Sequence, residues 1–368
     1  MPIVFYLAII AEALMGIIAP LKKTAFPILF VCLLGVLFVY VPNTVSDNII
    51  YQIYYTHPAV PNKFESLFNL LMQLSNALGL DYKGFKTLIF VLEMTLLYLG
   101  MRLFKLENKR LFMVFYTMIL FFESPIQLRN YLMATIVFVA IAYLWRGKTS
   151  MFICLVIIGG LVQSSAFFFL LLWPIMKIKH RKTEYWFIAV MIIVAIAMLL
   201  PPTRGVYTVI VNALASAIPV FGPKLAAYAL RFQPGTIMIF DVTLTIVLYW
   251  LFVKLGKVVK QPALETYITL GRKMALFFFM LFPLYMAAFN FDRILMDGLL
   301  VVFVVIITLF TSLPSPTRWT VLVIAFALFG VYSYEAYHYG IRYQVNYEPV
   351  LFQNELYPVR DYIVKDQR

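Results

Sequence analysis

The stretch FICLVIIGGLVQSSAFFFLLLWPI (152–175) is long for one membrane-spanning helix and short for two, and Gly159, Gly160, Gln163, Ser164 and Ser165 interrupt its middle. Whether it crosses a bilayer once or turns back decides the side on which every later loop lies. It sits among many similar runs. The chain is 63% hydrophobic, 17% aromatic and only 13% charged, against about 25% charged residues in soluble domains. Continuous apolar runs near the span length of about 20 residues mark helical crossings, and their lack of alternation argues against a barrel. Further spans are read near 2–19, 25–41, 85–104, 111–122, 131–145, 185–200, 236–253, 274–290, 294–312 and 319–337. The first run lacks a basic leader and contains Glu12, so it reads as a retained helix and not a cleaved signal.

Charge chooses between the two readings of 152–175. If the segment is a hairpin of two short or broken helices, one side of the membrane collects Lys22, Lys23, Arg102, Lys105, Lys109, Arg110, Arg146, Lys148, Lys177, Lys179, Arg181, Lys182, Lys254, Lys257, Lys260, Arg272, Lys273 and Arg318. Those are 18 of the 30 basic residues, with Glu107, Glu184 and Glu265 as the acids among them. A single crossing flips the later loops and gives a split of 16 to 14. Basic residues gather in cytoplasmic loops, so the hairpin is favoured. The net charge of +13 is therefore spread over short loops and does not form a nucleic-acid patch. The expected fold is one all-α integral membrane domain over 1–368 with about eleven to twelve membrane segments and both termini outside. Its long outer regions are 42–84, 201–235 and 338–368. Cys32 and Cys154 fall inside apolar runs and read as packing residues.

The outer regions are not plain loops. FESLFNLLMQLSNAL (64–78) spaces its apolar residues as an amphipathic helix does, and VYTVIVNALASAIPVFG (206–222) is similar. Polar residues at helix ends on this side need an explanation, because charge near bilayer depth is costly. They are Asp47, Glu65, Glu123, Gln127, Arg129, the group Gln163, Ser164 and Ser165, then Arg204, Arg231, Asp292 and Arg293. Arginine presents a planar fork of donors suited to phosphate oxygens. Arg129, in PIQLRNYL (125–132), and Arg293, in FNFDRIL (289–295), are each flanked by apolar helices, which sets them apart from side chains that snorkel to headgroups. Asp47 and Glu65 are carboxylates that either take a proton from a hydroxyl or fix an arginine. The three histidines form no pattern, and no Cys/His or acidic cluster has metal-ligand spacing.

In order and spacing these residues resemble the EpsG-type, Wzy-like polymerases of bacterial exopolysaccharide and capsule. An acid and a later tyrosine follow an early span, at Asp47 and Tyr51 in Ser46-Asp47-Asn48-Ile49-Ile50-Tyr51. A helix opens at Glu65-Ser66-Leu67 and closes at Leu78-Gly79. The family's Asn-x-Ile-Arg-Gln-x-(Leu/Met)-Ala element is matched by Gln127-Leu128-Arg129-Asn130-Tyr131-Leu132-Met133-Ala134. Its Phe-His-x-Ser-Ala element is matched by Val162-Gln163-Ser164-Ser165-Ala166, with Gln163 where a histidine is usual. A late arginine falls at Arg293, and Leu356-Tyr357-Pro358 is similar to the family's ending. The resemblance implies a GT-C-like fold in the bacterial cytoplasmic membrane with an outward-facing site. It implies joining of undecaprenyl-diphosphate-linked oligosaccharide repeat units without a metal or cofactor. Asp47, Glu65, Arg129 and Arg293 would carry the reaction. Tyr51, Gln127, Asn130, Gln163, Ser164, Ser165, Arg204, Arg231 and Asp292 would bind substrate. The implied partners are the lipid-linked donor and acceptor, membrane lipid, and a chain-length regulator and flippase of the same pathway. An amide takes up no proton at neutral pH, so Gln163 moves the expected base to Asp47 or Glu65. The competing readings are a translocase of lipid-linked glycans and a membrane acyltransferase. The first would need charge in the helix halves on the other side, where Glu12 and Glu93 stand almost alone. The second would need a histidine within a span.

Overall fold

The computed structural model describes residues 2–18, 26–40, 46–58, 60, 64–121, 123–198, 200, 205–206, 208–209, 237–259, 261–287, 291–314, 316–327 and 330. Among them every regular element is helical, and the molecule is an all-α, polytopic membrane bundle. In chain order the helices are α1 (Pro2–Ile18), α2 (Ile28–Tyr40), α3 (Ser46–Thr56), α4 (Ser66–Ala77), α5 (Tyr82–Leu103), α6 (Lys109–Ile119), α7 (Leu128–Trp145) and α8 (Thr149–Val162). After a 3-10 stretch (Ser164–Leu171) come α9 (Leu172–Lys177), α10 (Arg181–Ala197), α11 (Ile237–Val258), α12 (Pro262–Met280), α13 (Phe282–Ala287), α14 (Asp292–Ser312) and α15 (Pro316–Ala327). Among the described residues five helical stretches are long and apolar enough to cross a membrane: Tyr82–Leu103, Leu128–Trp145, Ile239–Val258, Pro262–Tyr285 and Asp292–Ser312.

The chain forms two compact units, one from Met1–Ala166 and Ile306–Arg368, the other from Phe167–Val305. In the first, α7 lies against α5 and α8, α5 also against α2, α1 against α6, and α4 against α8. Close approach relies on glycine. A Cβ on Gly100 of α5 would stand 2.4 Å from the Phe138 ring of α7, and one on Gly35 of α2 would stand 2.8 Å from Phe90 of α5. Small residues let membrane helices approach where no hydrophobic force drives them together. Polar caps tie the ends. The Asp81 carboxylate accepts from Gly84 N at 2.7 Å and starts α5. Asn108 starts α6 by accepting from Leu111 N at 3.1 Å and donates to the Gly16 carbonyl of α1 at 2.6 Å. Glu12 pairs with Arg110 at 2.7 Å. Gly79 and Gly147 adopt positive φ after α4 and α7, the left-handed exit that glycine makes without strain.

In the second unit α12 packs on α9, α10 and α11, and α10 packs on α13. Glu184 of α10 is fully buried. It accepts from Lys273 Nζ at 2.6 Å and from Tyr249 Oη at 3.2 Å, and the Arg272 Nε atom stands 3.2 Å away.

Four sequence expectations change. The predicted span at 274–290 belongs to a helix that begins at Pro262, so Arg272 and Lys273 are helical and paired instead of lying in a loop. Proline suits a first helical turn, and the buried Glu184 answers the charge that suggested water. Glu184 itself is a core residue rather than a loop acid. The 46–56 stretch is a helix of its own. Cys32 and Cys154 are exposed on their helices; a small apolar side chain facing lipid satisfies the same preference as one in a core. Other expectations hold. The amphipathic 64–78 segment is α4, and 152–175 is broken: α8 ends at Val162 and Gln163 is extended (φ −150, ψ 123) before the 3-10 stretch.

Candidate functional site

Four separate segments of the first unit meet at Arg129. It stands in the first turn of α7, next to the N-cap Gln127. Its guanidinium carbon is 4.4 Å from the centre of the Phe64 ring and 5.6 Å from that of Tyr51. Arg129 Nε donates to Tyr51 Oη at 3.3 Å, and Nη1 donates to Glu65 Oε2 at 2.5 Å. A cation against two aromatic faces with a carboxylate at its edge is both oriented and shielded. The side chains of Arg129 and Glu65 are 17% and 8% exposed.

Each partner is placed by its own element. Tyr51 projects from α3, where its ring lies 5.3 Å from Phe64 and 5.6 Å from Phe68. Tyr82 Oη donates to Asn48 Oδ1 at 2.6 Å, and Asn76 Nδ2 donates to the Tyr55 carbonyl at 2.8 Å, so α3 is held by α5 and α4. Glu65 is the N-cap of α4, in extended backbone. Asn69 Nδ2 reaches back to the Phe64 carbonyl at 2.9 Å, fixing that entry. The second carboxylate oxygen of Glu65, Oε1, accepts from Ser164 N at 3.2 Å. That amide is available because the α8 ladder stops at Gln163. Helix breaks leave backbone donors open, and here a carboxylate closes one.

Around this core, Gln163 Oε1 and Ser165 Oγ are buried without a hydrogen-bond partner. Gln127 Nε2 donates to Glu123 Oε2 at 2.8 Å, and Ser124 Oγ donates to Glu93 Oε2 at 2.8 Å. These bonds hold the link between α6 and α7 that presents Arg129. Asn130 is buried. Asp47 is half-buried in the first turn of α3, four residues before Tyr51 and on the same side of that helix.

The sequence-predicted residues divide as follows. Tyr51, Glu65, Arg129 and Ser164 are in direct contact. Asp47, Gln127, Asn130, Gln163 and Ser165 lie on the same elements. Asp292 and Arg293, both half-buried at the start of α14, belong to the second unit. Arg204 and Arg231, and all of 338–368 with its Leu356-Tyr357-Pro358, lie outside the described residues. Sequence reasoning missed Phe64, whose ring lies nearer the Arg129 guanidinium than that of Tyr51, and the buried Lys86 of α5. A lysine within an apolar run was the available signal for the second; nothing marks one phenylalanine among 34.

No curated protein and no solved structure matches the chain. The model of the EpsG family does match it, over residues 23–348. That span contains every residue of the Arg129 cluster and all helices from α2 to α15. By this match over most of its length, the chain belongs to the EpsG family.

Proposed function

We propose that this multi-pass membrane protein is a polysaccharide polymerase that transfers a growing glycan from its lipid diphosphate to a second lipid-linked repeat unit. The setting is the outer face of a bacterial cytoplasmic membrane. Family membership supports the polymerase role, and the preset arginine carries the chemical reading. A guanidinium has five N–H bonds. One goes to Tyr51 and one to Glu65, so three remain uncommitted among the described residues. Rigidly held donors aimed at phosphate oxygens stabilise the charge that builds on a departing diphosphate, and they need no reorganisation as it forms.

The carboxylates take different parts. Both oxygens of Glu65 are engaged, by Arg129 and by the Ser164 amide, which suits a positioning group and not a proton acceptor. Asp47 is the remaining acid on the Tyr51 side of α3 and is assigned as the base for the acceptor hydroxyl. Gln163 Oε1 and Ser165 Oγ, buried and unpartnered, suit sugar hydroxyls, because a hydroxyl can both donate and accept. The reaction then needs no metal: the diphosphate leaves as the acceptor oxygen attacks, and Asp47 takes that oxygen's proton.

The test is to incubate the purified protein with lipid-linked repeat unit and resolve the products by size. A polymerase gives a ladder of longer lipid-linked chains. Arg129→Ala abolishes the ladder while the protein still folds, its melting temperature lowered because the buried Glu65 carboxylate loses its cation. Relocation of substrate across a vesicle membrane without a ladder would instead identify a translocase.

A further inference from the structure

The second unit carries a charge pattern that the Arg129 site does not use. The stretch 177–184 holds Lys177, Lys179, Arg181 and Lys182 against Glu184. The stretch 254–273 holds five cations against Glu265. In sequence, nine cations are therefore matched by two acids, and Glu184 is buried and already engaged by Lys273 and Tyr249.

Contacts place these stretches at one end of the unit. Lys273 Nζ also donates to the Ile178 carbonyl, so residues 178, 184, 249 and 272–273 share a level. A Cβ on Gly256 would lie 3.6 Å from Arg181 Nη2 and 3.5 Å from Ile268, which sets 181, 256 and 268 at the next level towards the α11–α12 turn. Aromatic side chains mark the first level. Trp250 is 55% exposed and Trp186, two residues after Glu184, is 73% exposed. Trp and Tyr on lipid-facing surfaces collect at the boundary between hydrocarbon and headgroups. Two of the cations lie on such rings: Lys254 Nζ is 5.4 Å from the centre of Trp250, and Lys177 Nζ is 3.7 Å from that of Trp173. Helices α11 and α12 continue past this level by about two to three turns.

We propose that this end of the second unit is a binding surface for anionic phospholipid. Arg272, ion-paired with Glu184 through its Nε atom at 3.2 Å and with its side chain 12% exposed, offers its remaining N–H groups to a phosphodiester, and Lys254 and Lys177, seated on the Trp250 and Trp173 rings, add their charge at the same end of the unit. The excess of positive charge calls for external anions, and the tryptophans at the same depth place those anions at a bilayer surface. A soluble anion would need no aromatic belt.

The test uses the full chain, purified in mild detergent and analysed by native mass spectrometry after exposure to phosphatidylglycerol or phosphatidylcholine. Wild-type protein retains phosphatidylglycerol and not phosphatidylcholine, and inorganic phosphate does not displace it. Lys254→Gln and Arg272→Gln each retain it about fivefold less. Lys254 is exposed and outside the Glu184 cluster, so its variant reports on lipid even if Arg272→Gln fails to fold. Equal retention of the two lipids, unchanged retention by Lys254→Gln, or displacement by inorganic phosphate overturns the proposal.

Discussion

Arg129 is a cation whose charge is already answered, and that shapes what its variants should do. Lysine keeps the charge but cannot serve Tyr51 and Glu65 with a planar fork. Arg129→Lys is therefore expected to lose polymerisation nearly as fully as Arg129→Ala, measured as ladder formation per unit time. Asp47→Asn should lower kcat by about 10²- to 10⁴-fold with little change in KM, as removal of a general base does. Glu65→Gln should instead raise KM and lower kcat together, because it loosens the arginine. Parallel kinetics on the two variants separate their roles; a pure kcat effect from Glu65→Gln would reverse the assignment. Lys86 behaves differently. It is 1% exposed, its Nζ has no hydrogen-bond partner, and the nearest described ring contact is Phe38 at 5.8 Å. An unpaired buried ammonium is a burden on the fold, so Lys86→Met should raise the melting temperature. Arg129, Glu65 and Ser164 were legible beforehand because each breaks an apolar pattern, and Tyr51 through the family resemblance, as the tyrosine that follows Asp47. Their mutual contacts were not, since 78 residues separate Tyr51 from Arg129 and 99 separate Glu65 from Ser164.

Among the elements, helix existence followed from apolar runs, whereas helix ends followed from partners that a local reading does not see. Helix α12, begun at Pro262, runs unbroken through Arg272 and Lys273 because Glu184 meets their charges; without that acid they point to a loop. The break after Val162 was visible in its glycines and polar residues. Its use was hidden: the amide freed at Ser164 is taken by Glu65. Ser164→Pro removes that N–H together with the side-chain hydroxyl, so Ser164→Ala, which removes the hydroxyl alone, is its control; Gln163 already has the extended backbone that precedes proline, and proline suits a first helical position. The variant should fold but lose a hydrogen bond to a charged group, worth about 1.5–3 kcal/mol, and polymerise more slowly. Thermal unfolding and ladder assays on one preparation check both. At the α5–α7 crossing, Gly100→Ala forces aside Phe138, itself confined by the Phe104 and Phe112 rings. Overpacking of this kind costs about 1–3 kcal/mol, read as a lowered melting temperature.

At the scale of the whole molecule, the membrane class and the approximate spans were readable because lipid demands long apolar helices. The division into two units was not, since it depends on which helices pack on which. Glu184 is the electrostatic centre of the second unit. Glu184→Gln leaves Lys273 and Arg272 buried without their counter-charge, a change worth about 3–5 kcal/mol. Amide hydrogen exchange should show lost protection within 167–305. The first unit has a different peculiarity: it is drawn from both ends of the chain, Met1–Ala166 and Ile306–Arg368. Synthesis runs from the N-terminus, so the intervening unit leaves the ribosome whole before its neighbour has all its parts. Tyr51, Glu65, Arg129 and Ser164 all belong to the earlier piece. The arginine cradle can thus be assembled from nascent chain while the returning segment, with Phe326 destined for Phe115, has yet to be translated.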